Sequence, residues 1–168
     1  MLPLERDDTA ISRERYTWVA ACLDDRQRLI AEVGVGLGFG AEILSDHGHW
    51  IVGIDISDTL TAEHQDLPVI ICNAEANTFR GFDTVVCLEV ISHMIDPYSW
   101  LKRLEVPELI VSMPTTPSKA IYPWRKHEIP EAMLREMIEP KWQIKSEFAQ
   151  NRYQTGVPCY LTIHARAE

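Results

Sequence analysis

Two sets of residues in this sequence have the types and spacing that binding of a nucleoside requires. The stretch from Ile30 to Gly40, IAEVGVGLGFG, places glycines at alternate positions behind an apolar run. Asp55 follows 21 positions after Gly34, at the end of the next apolar run. Glycine lets a strand turn sharply into a helix with its backbone bare, and a carboxylate at that distance accepts both hydroxyls of a ribose. The spacing therefore indicates a nucleoside-binding βαβ unit.

The residues around these glycines disfavour the common phosphate-bearing ligands. Phe39 stands where the dinucleotide fingerprint needs its third glycine, so NAD is disfavoured. Alanine and glutamate follow Gly40, where a phosphate-binding loop needs lysine and then serine or threonine. Three acids, Glu32, Asp55 and Glu89, instead favour a ligand with positive charge. S-adenosylmethionine, which carries a sulfonium and an ammonium group, is such a ligand.

Four motifs in order resemble those of a known family. They are EVGVGLGFG, GIDIS, CNAE at 72–75 and FDTVVCLEVISHMIDP at 82–97. Together they are similar to the class I S-adenosylmethionine-dependent methyltransferases, in particular the group whose fourth strand ends in Glu-Val-x-x-His. The similarity spans residues 28–138. The alternative is a glycine-rich turn in another kind of α/β domain.

The resemblance implies a fold and a cofactor. The fold is a three-layer Rossmann-like α/β sandwich with a mostly parallel seven-stranded sheet and an antiparallel last strand. The implied cofactor is S-adenosyl-L-methionine, and the product formed from it is S-adenosyl-L-homocysteine. Asn73 stands where the family commonly has an aspartate that accepts a hydrogen bond from adenine, and its amide oxygen can still accept. The residues expected at the cofactor are Glu32, Gly34, Gly36, Gly38, Asp55, Ile56, Asn73, Ala74, Leu88 and Glu89.

Two histidines are the candidate catalytic residues. Methyl transfer to a hydroxyl requires removal of its proton, and histidine is the natural base. His93 and His127 are both expected at the ligand edge of the sheet, where the resembled family carries histidines. The structural alternative for His93 is closing the turn after the fourth strand. The remaining histidines are expected on the surface or in packing; they are His47, His49, His64 and His164.

The same residues also resemble a metal site. In small-RNA terminal 2′-O-methyltransferases two glutamates and two histidines hold a divalent cation, and Glu89, His93 and His127 match three of them. Ser92 stands where the second glutamate would be, so one hard oxygen ligand is lost. We therefore expect no metal at this site.

Composition limits the partners of the chain. It has 168 residues, a net charge of −9 and a pI near 5.1, which predicts one domain with no general attraction to nucleic acid or membrane. Pairs of basic residues, Arg125 with Lys126 and Arg13 with Arg15, are expected on a solvated face. The N-terminus lacks a signal core, no run reaches the ~18 apolar residues of a membrane span, and the four cysteines are scattered. A cytoplasmic protein without a disulfide framework is expected.

The elements that position these residues follow from periodicity. A helix over residues 9–24 with Thr9 as N-cap precedes the sheet, and its Tyr16 and Trp18 either close over the cofactor or pack the helix on the sheet. Residues 1–27 form this helical segment, 28–138 the cofactor-binding core and 139–168 two closing strands. The loop at 115–124 is the expected substrate wall.

The resulting hypothesis is methyl transfer to a hydroxyl or amine of a small-molecule acceptor. The segments that supply larger substrate caps in the family are short here, so an open site is expected. An open site either admits a bulky acceptor or is completed by a second subunit, as in a homodimer, or by a partner protein. The alternatives are therefore methylation of a protein or nucleic acid, and a cofactor-binding subunit that has no catalysis of its own.

Overall fold

The computed structural model describes residues 4–57, 66–115, 125–150 and 159–168, and for residues 4–9 the backbone alone. A seven-stranded sheet carries helices on both faces. The strands are β1 Leu29–Val33, β2 Trp50–Asp55, β3 Val69–Ile71, β4 Thr84–Leu88, β5 Glu108–Pro114, β6 Gln143–Gln150 and β7 Tyr160–Arg166. The helices are α1 Leu4–Cys22, α2 Phe39–Asp46, α3 Pro97–Arg103 and α4 Glu131–Ile138, with 3₁₀ turns at Ala74–Ala76 and Ile91–His93.

The strand order is β3-β2-β1-β4-β5-β7-β6. Strands β1 to β5 pair in parallel, whereas β7 runs antiparallel to both β5 and β6. The predicted mostly parallel sheet with an antiparallel last strand is confirmed. The chain leaves β1 toward β2 on one side and reaches β4 on the other, so a crevice opens at the carboxyl ends of β1 and β4, where α/β sheets bind ligands.

Two apolar clusters hold the layers together. On one face, Trp100 of α3 and Leu134 of α4 pack with β-strand residues and are fully buried. On the other face, Val19 of α1 and Leu44 of α2 do the same. Every residue of β4 is buried, as the continuous apolar run of a central parallel strand predicts. Within the described part of the chain, no helix is long and apolar enough to cross a membrane.

The first helix differs from the prediction in its start. It begins at Leu4, so Thr9 lies inside it and is not its N-cap. Acidic residue types at positions 5, 7 and 8 suit the first turns of a helix, because they complement its positive end. Trp18 stacks on Phe148 of β6 with ring centroids 5.6 Å apart, so it packs the helix on the sheet. Most of the predicted substrate wall lies outside the described residues.

A polar cluster is buried at the edge of the sheet opposite the crevice. Glu108, 2% exposed, accepts hydrogen bonds from Nε2 of His164 at 2.6 Å, Nε of Arg166 at 2.6 Å and Oγ1 of Thr84 at 3.1 Å, and pairs with Arg28. Burial alone would raise the pKa of Glu108, but these hydrogen bonds and the arginine charges lower it to about 2. The cluster fixes β5 to β7 and to the start of β1.

We expect Glu108→Gln to reduce the free energy of unfolding by about 3–5 kcal/mol, because it leaves buried arginine charge without its carboxylate. Urea unfolding at pH 7 measures the loss. Glu105→Gln is the matched control, since Glu105 pairs with Arg80 on the surface and should cost below about 1 kcal/mol. Similar losses in the two variants would contradict the assignment of the cluster as a stabilising element.

Candidate active site

The crevice contains a cavity of about 350 Å³, called here the first cavity. It lies at the carboxyl ends of β1 and β2 and is closed by the segments after β3 and β4. Of the twelve residues predicted at the site, six line it: Gly34, Asp55, Ile56, Asn73, Ala74 and His93. The others, Glu32, Gly36, Gly38, Leu88, Glu89 and His127, are not part of its lining.

The glycine loop is fixed by space and by hydrogen bonds. Gly34 has φ +74°, and a Cβ there would lie 2.2 Å from Cγ2 of Val90, so no larger residue fits. Asp55 holds the loop, because its Oδ2 accepts from the amide of Gly36 at 3.1 Å and its Oδ1 from the amide of Ser57 at 3.0 Å. Each carboxylate oxygen retains acceptor capacity for a further donor.

Asn73 has a structural task beside its predicted one. Its Oδ1 accepts a hydrogen bond from the amide of Glu75 at 2.9 Å and so caps the 3₁₀ turn after β3. Glu75 in turn accepts from the amides of Ile95 and Asp96 at 2.8–3.0 Å. The two segments that border the first cavity are thereby tied together. Asn73 keeps one lone pair on its oxygen for a ligand.

Glu32 is buried behind the glycine loop. It is 1% exposed, and its Oε1 accepts a hydrogen bond of 2.5 Å from the hydroxyl of Tyr16 in α1. Its Oε2 is buried and has no hydrogen-bond partner among the described residues. Burial raises the pKa of Glu32 to about 8, although the Tyr16 hydrogen bond lowers it. Glu32 is thus mostly protonated at pH 7, and Tyr16 serves packing rather than closure over the cofactor.

Glu89 adopts the left-handed conformation, φ +61°, directly after β4. Its Oε1 accepts a hydrogen bond from the Ser112 hydroxyl at 2.8 Å and lies 3.1 Å from Nη1 of Arg15. Its Oε2 lies 4.0 Å from Nη2 of Arg125. Burial raises the pKa of Glu89, while Arg15, the Ser112 hydrogen bond and Arg125 act in the opposite direction.

The two arginines were missed as site residues by the sequence analysis. Arg15 is 3% exposed and Arg125 is 9% exposed, so the prediction that both stand on solvated faces is wrong. Their burial is possible because both meet the Glu89 carboxylate, and a buried charge needs such a partner. The sequence signal for this cluster is an acid directly after a central strand, together with arginines elsewhere in the chain. The sequence does not show which arginines pair with the acid, because the pairing depends on the fold.

A second cavity of about 340 Å³ is lined by residues that neighbour, along the chain, residues of the first. Two segments contribute neighbouring residues to the two cavities. His93 and Lys126 line the first cavity, and Ser92 and Arg125 line the second. The segments are joined by hydrogen bonds from the amides of Lys126 and His127 to the carbonyl of Ser92, at 2.8 and 3.0 Å. The site therefore consists of two compartments with a common wall.

His127 lines the second cavity. Its Nε2 lies 3.1 Å from the carbonyl oxygen of Ile95. A carbonyl oxygen can only accept, so Nε2 carries the hydrogen and Nδ1 of the neutral ring is a proton acceptor. The structure thus places the two predicted histidines in different compartments.

The metal set of the small-RNA enzymes is not assembled in the described residues. Among them, no group of three or more histidine, cysteine, aspartate or glutamate side chains is arranged to hold an ion. Glu89 is instead bound to Ser112 and the two arginines, and His127 to a backbone carbonyl.

Comparison with known proteins agrees with this geometry. Residues 31–105 match the family model described as a methyltransferase domain. The match covers less than half of the chain, and over those residues the chain is similar to this family. The match includes most of β1, the glycine loop, Asp55 and β4 with the Glu-Val-x-x-His motif, and every lining residue of the first cavity except Lys126.

Three relatives define the range of similarity. A ubiquinone biosynthesis O-methyltransferase of Coxiella burnetii is 26% identical over 106 residues, covering 55% of this chain and 44% of that protein. The chain thus spans less than half the length of this curated relative. A magnesium protoporphyrin IX methyltransferase from Synechocystis PCC 6803, solved with bound S-adenosylhomocysteine, superposes with a TM-score of 0.80 at 18% identity, covering 100% of this chain and 88% of that one. A small RNA methyltransferase superposes with a TM-score of 0.72 at 16% identity, covering 94% of this chain and 25% of that one.

Glu32→Gln should change the pH dependence of stability. The pKa of Glu32 is about 8 in the folded protein against an ordinary 4.5, so unfolding releases a proton between these values. The stability linked to this group is complete below about pH 4.5 and falls as the pH rises to about 8, by at most about 1.4 kcal/mol per pH unit. Glutamine mimics the protonated acid, so the variant should equal the native protein near pH 5 and exceed it at pH 8.

Urea unfolding at pH 5, 6, 7 and 8 measures this difference. Glu42→Gln, at an exposed position of α2, is the control and should follow the native protein at every pH. A constant difference between Glu32→Gln and the native protein would show that Glu32 is already ionised at neutral pH.

Proposed function

We propose that this domain binds S-adenosylmethionine in the first cavity and moves its methyl group to a hydroxyl or amine of a small-molecule acceptor in the second. The observation that carries the proposal is this pair of cavities. One is bordered by the glycine loop and Asp55, and the other contains a histidine with a proton-accepting nitrogen.

The residues around the first cavity fit this cofactor. Asp55 is fixed by two backbone amides, and both of its oxygens can still accept from the ribose hydroxyls. Asn73 and Ala74 lie at the expected adenine end. Glu32, buried behind the loop and mostly protonated, supports β1 through its hydrogen bond to Tyr16 and supplies no charge to the ligand. Gly34, Gly36 and Gly38, all with positive φ, keep the backbone bare.

The residues of the second cavity fit the chemistry. When bound, S-adenosylmethionine supplies an electrophilic methyl group on a sulfonium. His127 accepts the proton of the acceptor hydroxyl at Nδ1 as the new bond to the methyl carbon forms, and its Nε2–H remains on the Ile95 carbonyl. His93, in the wall between the cavities, is placed to contact the acceptor or the transferred group. Transfer requires the nucleophilic atom of the acceptor to reach past the segments between the cavities and contact the methyl carbon in line.

The acceptor class rests on the size of the second cavity and on the relatives. About 340 Å³ is near the lower end of small-molecule pockets. Two of the compared proteins are named for small-molecule substrates, ubiquinone biosynthesis and magnesium protoporphyrin IX. The third is named for small RNA, so a macromolecular acceptor is the alternative that acceptor screening must test.

Calorimetric titration with S-adenosylmethionine and S-adenosylhomocysteine, with NAD as control ligand, tests cofactor binding. We expect micromolar binding of the first two and none of NAD. Asp55→Ala should weaken binding by about 1–3 kcal/mol, or about 5- to 150-fold, because the hydrogen bonds to the ribose are lost. Asp25→Ala, at an exposed position, is the matched control. Absence of binding to the native protein would refute the proposal; binding without turnover across acceptors would favour a non-catalytic partner subunit.

His127→Gln should leave the dissociation constant of S-adenosylmethionine unchanged and lower turnover by about 100-fold or more, since the proton acceptor is lost. Release of S-adenosylhomocysteine measures turnover, and calorimetry measures the affinity. His93→Gln is the parallel variant. A small effect in His127→Gln with a large one in His93→Gln would transfer the role of base to His93.

A further inference from the structure

Two arginines, Arg15 and Arg125, lie beside the second cavity, whose lining also contains the acidic Glu128. Arg15 and Arg125 approach Glu89 from its two sides, at 3.1 Å from Oε1 and 4.0 Å from Oε2. Both guanidinium groups are buried. The region therefore holds two cationic side chains around one carboxylate.

The two arginines differ in how they are held. Arg15 donates from Nε to Gln150 at 3.2 Å and from Nη1 to the Ser112 hydroxyl at 3.4 Å, and it lies 4.5 Å above the ring of Tyr160. It is the close ion-pair partner of Glu89. Arg125 meets the same carboxylate at the longer distance and lines the second cavity. Of the two arginines, Arg125 is the one that lines this cavity.

Ser92 adds a hydroxyl to the same wall. It is 2% exposed, and its Oγ has no hydrogen-bond partner among the described residues. A buried hydroxyl without a partner costs free energy that a ligand acceptor atom can recover. The backbone after Arg125 is pinned to the carbonyl of Ser92, which keeps the two residues adjacent. Much of the remaining lining is apolar, with Met113 and Ile129 among it.

We propose that the acceptor carries a carboxylate, which Arg125 and Ser92 bind in the second cavity, while its apolar body lies against Met113 and Ile129. The inference rests on the proposed methyl transfer. A planar carboxylate matches the donor geometry of a guanidinium, and a serine hydroxyl rotates to donate to it. Anchored in this way, the acceptor lies in the same cavity as His127, which accepts the proton of its nucleophilic group.

Matched acid and amide probes test the anchor. Para-hydroxybenzoate and para-hydroxybenzamide have the same shape and differ in charge, and ligand-observed NMR titration gives their affinities with and without saturating S-adenosylhomocysteine. We expect the acid to bind at least tenfold more tightly than the amide. Arg125→Gln should reduce the affinity for the acid to that for the amide, Arg125→Lys should retain part of the preference, and Ser92→Ala should weaken acid binding about threefold.

Arg80→Gln is the matched control, because it removes one arginine charge at an exposed position before β4, at the opposite edge of the sheet. It should keep the preference for the acid. Equal affinities of acid and amide for the native protein, or no binding of either, would overturn the proposal. Weakened binding of S-adenosylhomocysteine in Arg125→Gln, with the acid preference intact, would assign Arg125 to the cofactor and also overturn it.

The same titrations separate this proposal from the proposed function. If S-adenosylhomocysteine does not bind the native protein, the methyltransferase proposal fails whatever the probes do. If it binds and the acid has no advantage over the amide, methyl transfer stands and the carboxylate anchor fails. Melting temperatures of Arg125→Gln and Ser92→Ala establish that each variant is folded, so a loss of probe binding reports the site.

Discussion

The hydrogen bond between Tyr16 and Glu32 is the contact on which the geometry of the site depends. It joins α1 to β1 at 2.5 Å, directly beside the start of α2. A Cβ on Gly40 would lie 2.1 Å from Cζ of Tyr16 and 2.5 Å from Oε1 of Glu32, so α2 approaches the pair only because residue 40 is glycine. Of the glycines in the loop, Gly40 therefore serves packing, while the positive φ of Gly34, Gly36 and Gly38 shapes the loop itself.

Most of the fold follows from the sequence. The order and type of the strands depend on apolar runs, and buried parallel strands leave little freedom in where such runs lie. The predicted start of α1 was wrong because Thr9, a residue type suited to capping, also tolerates a helix interior. The glycine loop was predictable because its positive φ values favour glycine, and the position of Asp55 was predictable because it ends the apolar run of β2.

The charge states of the site residues were less predictable than the positions of these residues. The sequence contains three acids around the loop, but environment decides which of them carries charge. Glu32 is buried against a tyrosine, which favours its protonated form, and Glu89 is surrounded by arginines from α1 and from the segment before α4. Contacts between residues 15, 89 and 125 exist only in the folded chain. Periodicity and motif spacing carry no information on them.

The chain as a whole is acidic, whereas an arginine lines the second cavity, and this contrast in charge determines how an anion would be bound. A net charge of −9 repels anions at long range, but at physiological ionic strength this repulsion is screened beyond about 8 Å. Contact with a buried guanidinium is screened far less. The acidic surface therefore opposes the approach of an anion while Arg125 retains it, and added salt should speed association more than it weakens the bound state. A buried arginine in an acidic chain can in this way bind anions that enter the cavity, while anions that contact only the surface are repelled.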